Sequence, residues 1–115
     1  MPSRHSPQTR SAHTGRMACR AARLRGAILL LLAAAHPEPL PALALRHWLA
    51  QHGFRVRASE LVRALAWLRR RAYADFRIVQ APDYPALPPL LAVHILPAGT
   101  KLIRAKATDP GVDLG

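Results

Sequence analysis

An α+β fold is predicted for this chain: three helices, then two short strands, then a short C-terminal helix. Three observations predict it. Apolar residues recur at helical spacing in three successive segments between residues 20 and 71. Beyond residue 74 the pattern changes to short runs rich in β-forming residues, and proline or glycine punctuates the junctions.

The first helix is expected over residues 20–35. Leu24, Ile28, Leu31, Leu32 and Ala35 fall on one face, and Arg20, Arg23 and Arg25 occupy the opening turns. Its second half, "AILLLLAAA", is apolar all round, as in a core helix. Nine apolar residues are too few to span a bilayer, which needs about 20.

"HPEPLP" ends that helix, because each proline biases its predecessor away from α geometry. Pro41 suits the first position of a second helix running to about residue 52, closed by Gly53 with Phe54 beyond the cap. Leu45, Trp48 and Leu49 form its apolar stripe. A third helix over residues 58–71 puts Leu61, Ala64, Leu65, Leu68 and Ala72 on one face. At 100° per residue, Ser59, Arg63, Ala66 and Arg70 point the opposite way.

"DFRIVQA" and "LLAVHIL" read as two strands joined by "PDYPALPP", whose four prolines make an irregular connection rather than a tight hairpin turn. From Gly99, "TKLIRAKA" is a last helical turn or two, and "DPGVDLG" is a tail with turn chemistry. Residues 1–16 contain no large apolar residue after Met1, so a disordered basic extension is expected over residues 1–19. One domain is expected over 20–106 and a C-terminal tail over 107–115. Met17, which opens the patterned sequence, is an alternative start.

Charge narrows the partner class. Seventeen Lys and Arg, fifteen of them arginine, against six Asp and Glu give a net charge of +11. Residues 1–35 carry +6 with no acid, residues 36–74 carry +5, and residues 75–115 are neutral. A polyanion partner is therefore expected on the first two thirds of the chain. Cys19, the one cysteine, supports neither an internal disulfide nor a metal site, and a reducing, cytoplasmic compartment is expected.

"AILLLLAAA", followed by Ala42, Leu43 and Ala44, also has the outline of a signal peptide. Cleavage there would remove the helix that should cover the other two, leaving a marginal remnant without a disulfide. The helix is read as core. An exported basic protein is retained as a third reading, predicting processing near Ala44.

Three helices followed by a two-stranded wing, with "FRVR" separating Gly53 from the third helix, is the winged form of the helix-turn-helix. "GFRVRASELVRALAWLRR" and "LPAGTKLIRAKATDPGV" resemble a family of small winged-helix proteins of Mu-like prophages, often described as ArsR-like. The matching residues are Arg25, Ile28 and Leu29 in the first helix, Leu65, Trp67 and Leu68 in the third, and Gly99, Pro110, Gly111 and Val112 near the end. The resemblance covers roughly residues 20–112. The chain departs from it in having Arg57 and Leu96 where Ser or Thr caps are expected, with Ser59 as an alternative cap. Ala72, Tyr73 and Ala74 stand where many winged helices have Gly-Leu-Val.

The resemblance implies a DNA-binding protein of phage origin, a transcriptional regulator or accessory factor. The residues expected to meet duplex DNA are Arg55 and Arg57 in the turn, and Ser59, Arg63 and Arg70 on the third helix. The wing argues the other way, since its loop offers Asp83 and no basic residue. Trp67 is expected to pack under the wing, with base stacking or a dimer contact as alternatives.

A structural or adaptor protein of a phage assembly, using the same fold for protein contact, is the rival function. A second copy of the chain is the other partner considered. His36, His47 and His52 do not share a face and no Cys-x-Cys exists, so no metal is expected. No nucleophile, base and orienting group can be assembled, so neither enzyme activity, small-molecule substrate nor cofactor is expected.

Overall fold

The computed structural model describes residues 5–80, 90–105 and 108–115, with side chains described from residue 19. In chain order the elements are α1 (His5–Ala35), β1 (Leu40–Pro41), α2 (Ala42–Gln51), α3 (Ala58–Arg70), β2 (Ala74–Val79), β3 (Leu90–Ile95) and α4 (Pro97–Arg104). The wing connection 82–89, with Asp83, lies outside the described residues.

Helix α1 is the spine, packing against α2, α3, β3 and α4. Leu24, Ile28, Leu29 and Leu32 are buried there, while Leu31 and Ala35 are half-buried. They meet Leu45 and Leu49 of α2, Leu61, Ala64, Leu65 and Leu68 of α3, Val93 and Ile95 of β3, and Leu102 of α4 in one cluster. Where composition suggests a disordered extension over residues 1–19, the helix continues back to His5. Ala12, Arg16, Met17, Ala18, Ala21 and Ala22 are strong helix formers, and Pro7 sits in the first turn, where no backbone N–H is required.

The sheet has three strands in the order β1-β3-β2, both pairings antiparallel. The β2–β3 wing is the expected pair, running from Ala74 opposite Ile95 to Val79 opposite Leu90. β1 is an addition: Leu40 and Pro41 pair with Val93 and Ala92. The strand entering α2 is thereby held against the centre of the wing.

The helix ends follow from local chemistry. Gly53, at φ +81°, closes α2, with its N–H donating to the Ala50 carbonyl (3.1 Å) and the Phe54 N–H to that of Leu49 (2.7 Å). The same two-bond arrangement ends α3, from Ala72 to Arg69 and Tyr73 to Leu68, both 3.0 Å. There the left-handed residue is Ala72, at φ +59°, so it is exposed beyond the helix and not part of the buried stripe.

Two further expectations are corrected. Trp48 is 47% exposed, because α2 buries only the i, i+4 pair Leu45 and Leu49, and Trp48 lies 100° round the helix from Leu49. α4 opens at Pro97, not Gly99, since Pro97 fits the first helical position. Gly99 falls inside the helix, buried where a Cβ would strike the Tyr73 carbonyl.

Candidate nucleic-acid interface

The buried residues of α3, Leu61, Ala64, Leu65 and Leu68, define its inner face. Ser59, Arg63 and Arg70 lie opposite and are exposed, with Ala66 half-buried beside them. Arg55 and Arg57, in the turn that leads into α3, are exposed as well. The structure thus leaves all five expected contact residues exposed, two in the turn and three on the outward side of α3. Among the described residues, none of these five side chains enters an ion pair.

That turn is fixed from both neighbouring helices. Arg46 of α2 donates from Nε to the Val56 carbonyl (2.9 Å), and Val56 itself is buried. Arg20 of α1 donates from Nη2 to the Arg55 carbonyl (2.9 Å), and its guanidinium lies 5.1 Å from the centre of the Phe54 ring. The intervening backbone is held while the side chains of Arg55 and Arg57 remain in solvent.

α3 begins at Ala58 with Arg57 as its N-cap, and no side chain caps it. Ser59 is therefore the second helical residue and not the alternative cap. Glu60 occupies the third position and pairs with Arg20 at 3.0 Å. The hydrogen bond from Arg20 holds the Glu60 carboxyl below the ordinary glutamate range, burial opposes this, and the Arg57 backbone N–H adds to the depression. This acid neutralises Arg20, leaving Arg63 uncompensated across a groove between α1 and α3 lined by Arg20, Leu24, Arg25, Glu60 and Arg63.

The opposite flank of α3 is tied to the wing. Arg69 pairs with Asp75 of β2 at 3.1 Å and stands 4.8 Å from the centre of the Phe76 ring.

Among the described residues, Trp67 is covered by the C-terminal segment and not by the strands of the wing. Arg25 stacks on its ring at 4.2 Å, Arg71 approaches at 5.0 Å, and Gly111 lies so close that a Cβ there would strike the indole. Arg25 also donates from Nη1 to the Gly111 carbonyl (3.2 Å), and the Asp113 N–H donates to the Ala22 carbonyl of α1 (3.0 Å). Asp109 receives the Tyr73 hydroxyl (2.5 Å) and, at its other oxygen, the Gly111 N–H (2.8 Å). These two hydrogen bonds, in that order, hold the Asp109 carboxyl below its usual range, and the same contact raises Tyr73. The tail is thus a clasp that joins α1 to the end of α3.

Clasping concentrates positive charge. Burial first, and then the adjacent charge of Arg70, pulls the Arg25 guanidinium below the ordinary arginine range, Asp109 opposing in part. The roles of Arg20 and Arg25 are not legible in sequence, because they depend on partners 35 to 86 residues away. The "Pro-Gly-Val" match was the one signal that this tail has a defined place.

Among the described residues no group of three or more His, Cys, Asp or Glu is arranged to hold a metal ion. Among them also, no helix is long and apolar enough to cross a membrane.

A helical core, a turn fixed between α2 and α3, and an antiparallel wing behind α3 define a winged helix-turn-helix. Solved structures share this fold. A PadR-like transcription factor from Bacteroides fragilis matches over 86% of this chain and 84% of its own, with a TM-score of 0.60 and 20% identity. A PadR family transcriptional regulator from Eggerthella lenta matches over 89% and 82%, with a TM-score of 0.56 and 16% identity. At such identities the likeness is one of fold. No protein-family model and no curated protein sequence matches the chain.

Proposed function

We propose that this chain is a DNA-binding winged-helix protein, acting as a transcriptional regulator or accessory factor, that engages duplex DNA with the outward face of α3. The observation that carries the reading is the exposure of Arg55 and Arg57 in the turn and of Ser59, Arg63 and Arg70 on the outward side of α3, with no acid paired to any of them among the described residues. Arg63 and Ser59 sit where a helix in the major groove meets base edges, and Arg55, Arg57 and Arg70 where it meets phosphates. The titles of the two solved structures, a transcription factor and a transcriptional regulator, agree with this role.

Duplex DNA and a second copy of the chain are the proposed partners. The reading is of a cytoplasmic protein without enzymatic activity. A prophage origin is supported by the motif resemblance at Arg25, Ile28, Leu29, Trp67 and Pro110–Val112.

The test is binding to random-sequence duplex DNA across a salt series. Three phosphate-reaching arginines predict that log K falls with log salt at a slope of about −2.5 to −3. Binding that is weak and salt-independent would reject the reading.

One observation favours the rival role in protein contact. Ile78, Val79 and Leu90, at the far end of the wing, are 72%, 42% and 47% exposed. An adaptor that uses this end keeps its partner when the α3 arginines are removed and loses it when Ile78→Ser is introduced.

A further inference from the structure

The outward surface of α3 is not uniformly polar. Its α1-side flank is occupied, since Glu60 and Trp67 meet Arg20 and Arg25. Its wing-side flank is occupied at Arg69, which pairs with Asp75. Ser59, Arg63 and Arg70 face out, while Val62, two turns before Arg69 on the wing-side edge of that face, is exposed as well and Ala66 is half-buried between them. Val62 is 56% exposed, immediately before Arg63, and Ala66 lies one turn further on.

Neither packing nor helix propensity accounts for a valine there. A β-branched side chain loses rotamer freedom in a helix, and at this exposure it recovers little by burial. The two methyl groups of Val62 are instead left in solvent at the edge of the face that carries Arg63. In the major groove the one apolar feature of the base edges is the C5 methyl of thymine.

We propose that Val62, assisted by Ala66, is a specificity-determining residue that reads a thymine methyl group beside the contact made by Arg63. The proposal rests on α3 being the DNA-contacting helix. Arg55 and Arg57 at the start of α3 hold the backbone and set the helix's depth and register. Val62 and Arg63, adjacent in sequence and 100° apart, then reach neighbouring base pairs. The preferred sequence therefore contains thymine within a step or two of the Arg63 contact.

The experiment selects a preferred duplex from a random-sequence pool with the full chain, then remakes it with uracil replacing thymine one position at a time. Uracil keeps every hydrogen-bonding group and lacks only the methyl. Wild-type protein should bind about fourfold more weakly at one or two positions, the value of burying one such carbon. Val62→Ala, an exposed and helix-favouring change, should bind thymine and uracil duplexes equally there, and Val62→Ile should retain the discrimination. Equal discrimination by wild type and Val62→Ala, no discrimination by either, or no sequence enriched from the pool would overturn the proposal while leaving DNA binding intact. Absence of binding to any duplex, or binding indifferent to Arg63→Ala, would overturn the DNA reading and this proposal with it.

Discussion

Replacing Ala72 by glycine should stabilise the protein. Ala72 follows α3 at φ +59°, where its Cβ crowds the following carbonyl, and the arrangement is kept because Ala72 and Tyr73 donate to the Arg69 and Leu68 carbonyls. An L-residue in this conformation costs about 1–2 kcal/mol that glycine escapes. Glycine gives back about 0.4–1 kcal/mol through its greater freedom in the unfolded chain. The net gain is about 0.5–1 kcal/mol, or roughly 2–4 °C in Tm for a domain of this size. Thermal and urea unfolding of wild type, Ala72→Gly and the control Ala66→Gly would measure it. Ala66 lies in the interior of α3, where glycine should cost about 1 kcal/mol. If Ala72→Gly destabilises as Ala66→Gly does, the left-handed assignment at the end of α3 is wrong.

Gly111→Ala should force the tail from the Trp67 ring, with a loss of about 1–3 kcal/mol and, in a Trp48→Phe background, a red-shifted tryptophan emission; unchanged stability and emission would contradict the clasp. Stability should also fall in acid. Glu60 and Asp109 are depressed in the folded state, so each contributes stability that is complete above the ordinary carboxylate range near pH 4 and is lost as pH drops through the lower folded values. Unfolding midpoints between pH 7 and pH 3 should therefore decline less steeply in the Glu60→Gln, Asp109→Asn double variant. Identical pH profiles would remove both groups from the account.

Much of the candidate site is legible in sequence because it is local. The spacing of Leu61, Ala64, Leu65 and Leu68 orients α3, and that orientation alone places Ser59, Arg63 and Arg70 outside. Gly53 closes α2 through a backbone constraint that any fold would respect, whereas Pro41, expected at the first helical position, stands one residue earlier as the extended N-cap. What is not legible is what depends on distant partners. Leu40 and Pro41 form a strand only because Val93 and Ala92 are beside them. The tail has no period of its own, and its place is set by Trp67, Tyr73, Ala22 and Arg25. Trp48 looks like core by spacing, yet α2 is too narrowly covered to bury it. At the other end, residues 5–19 lack a hydrophobic pattern but keep the backbone preferences of a helix, and α1 extends through them.

The central claim is that positive charge acts through the outward face of α3 and not merely by its total. A charge-matched comparison tests this directly. Arg63→Ala with Arg70→Ala removes two cations from that face, and Lys101→Ala with Arg104→Ala removes two exposed cations from α4. Binding of each variant to the same duplex across a salt series should show the α3 pair losing about one unit of salt slope, from Arg70, and about 1–3 kcal/mol of affinity, from Arg63, with the α4 pair close to wild type. Equal losses from the two pairs would mean that the charge of the chain, and not the face of α3, holds the DNA.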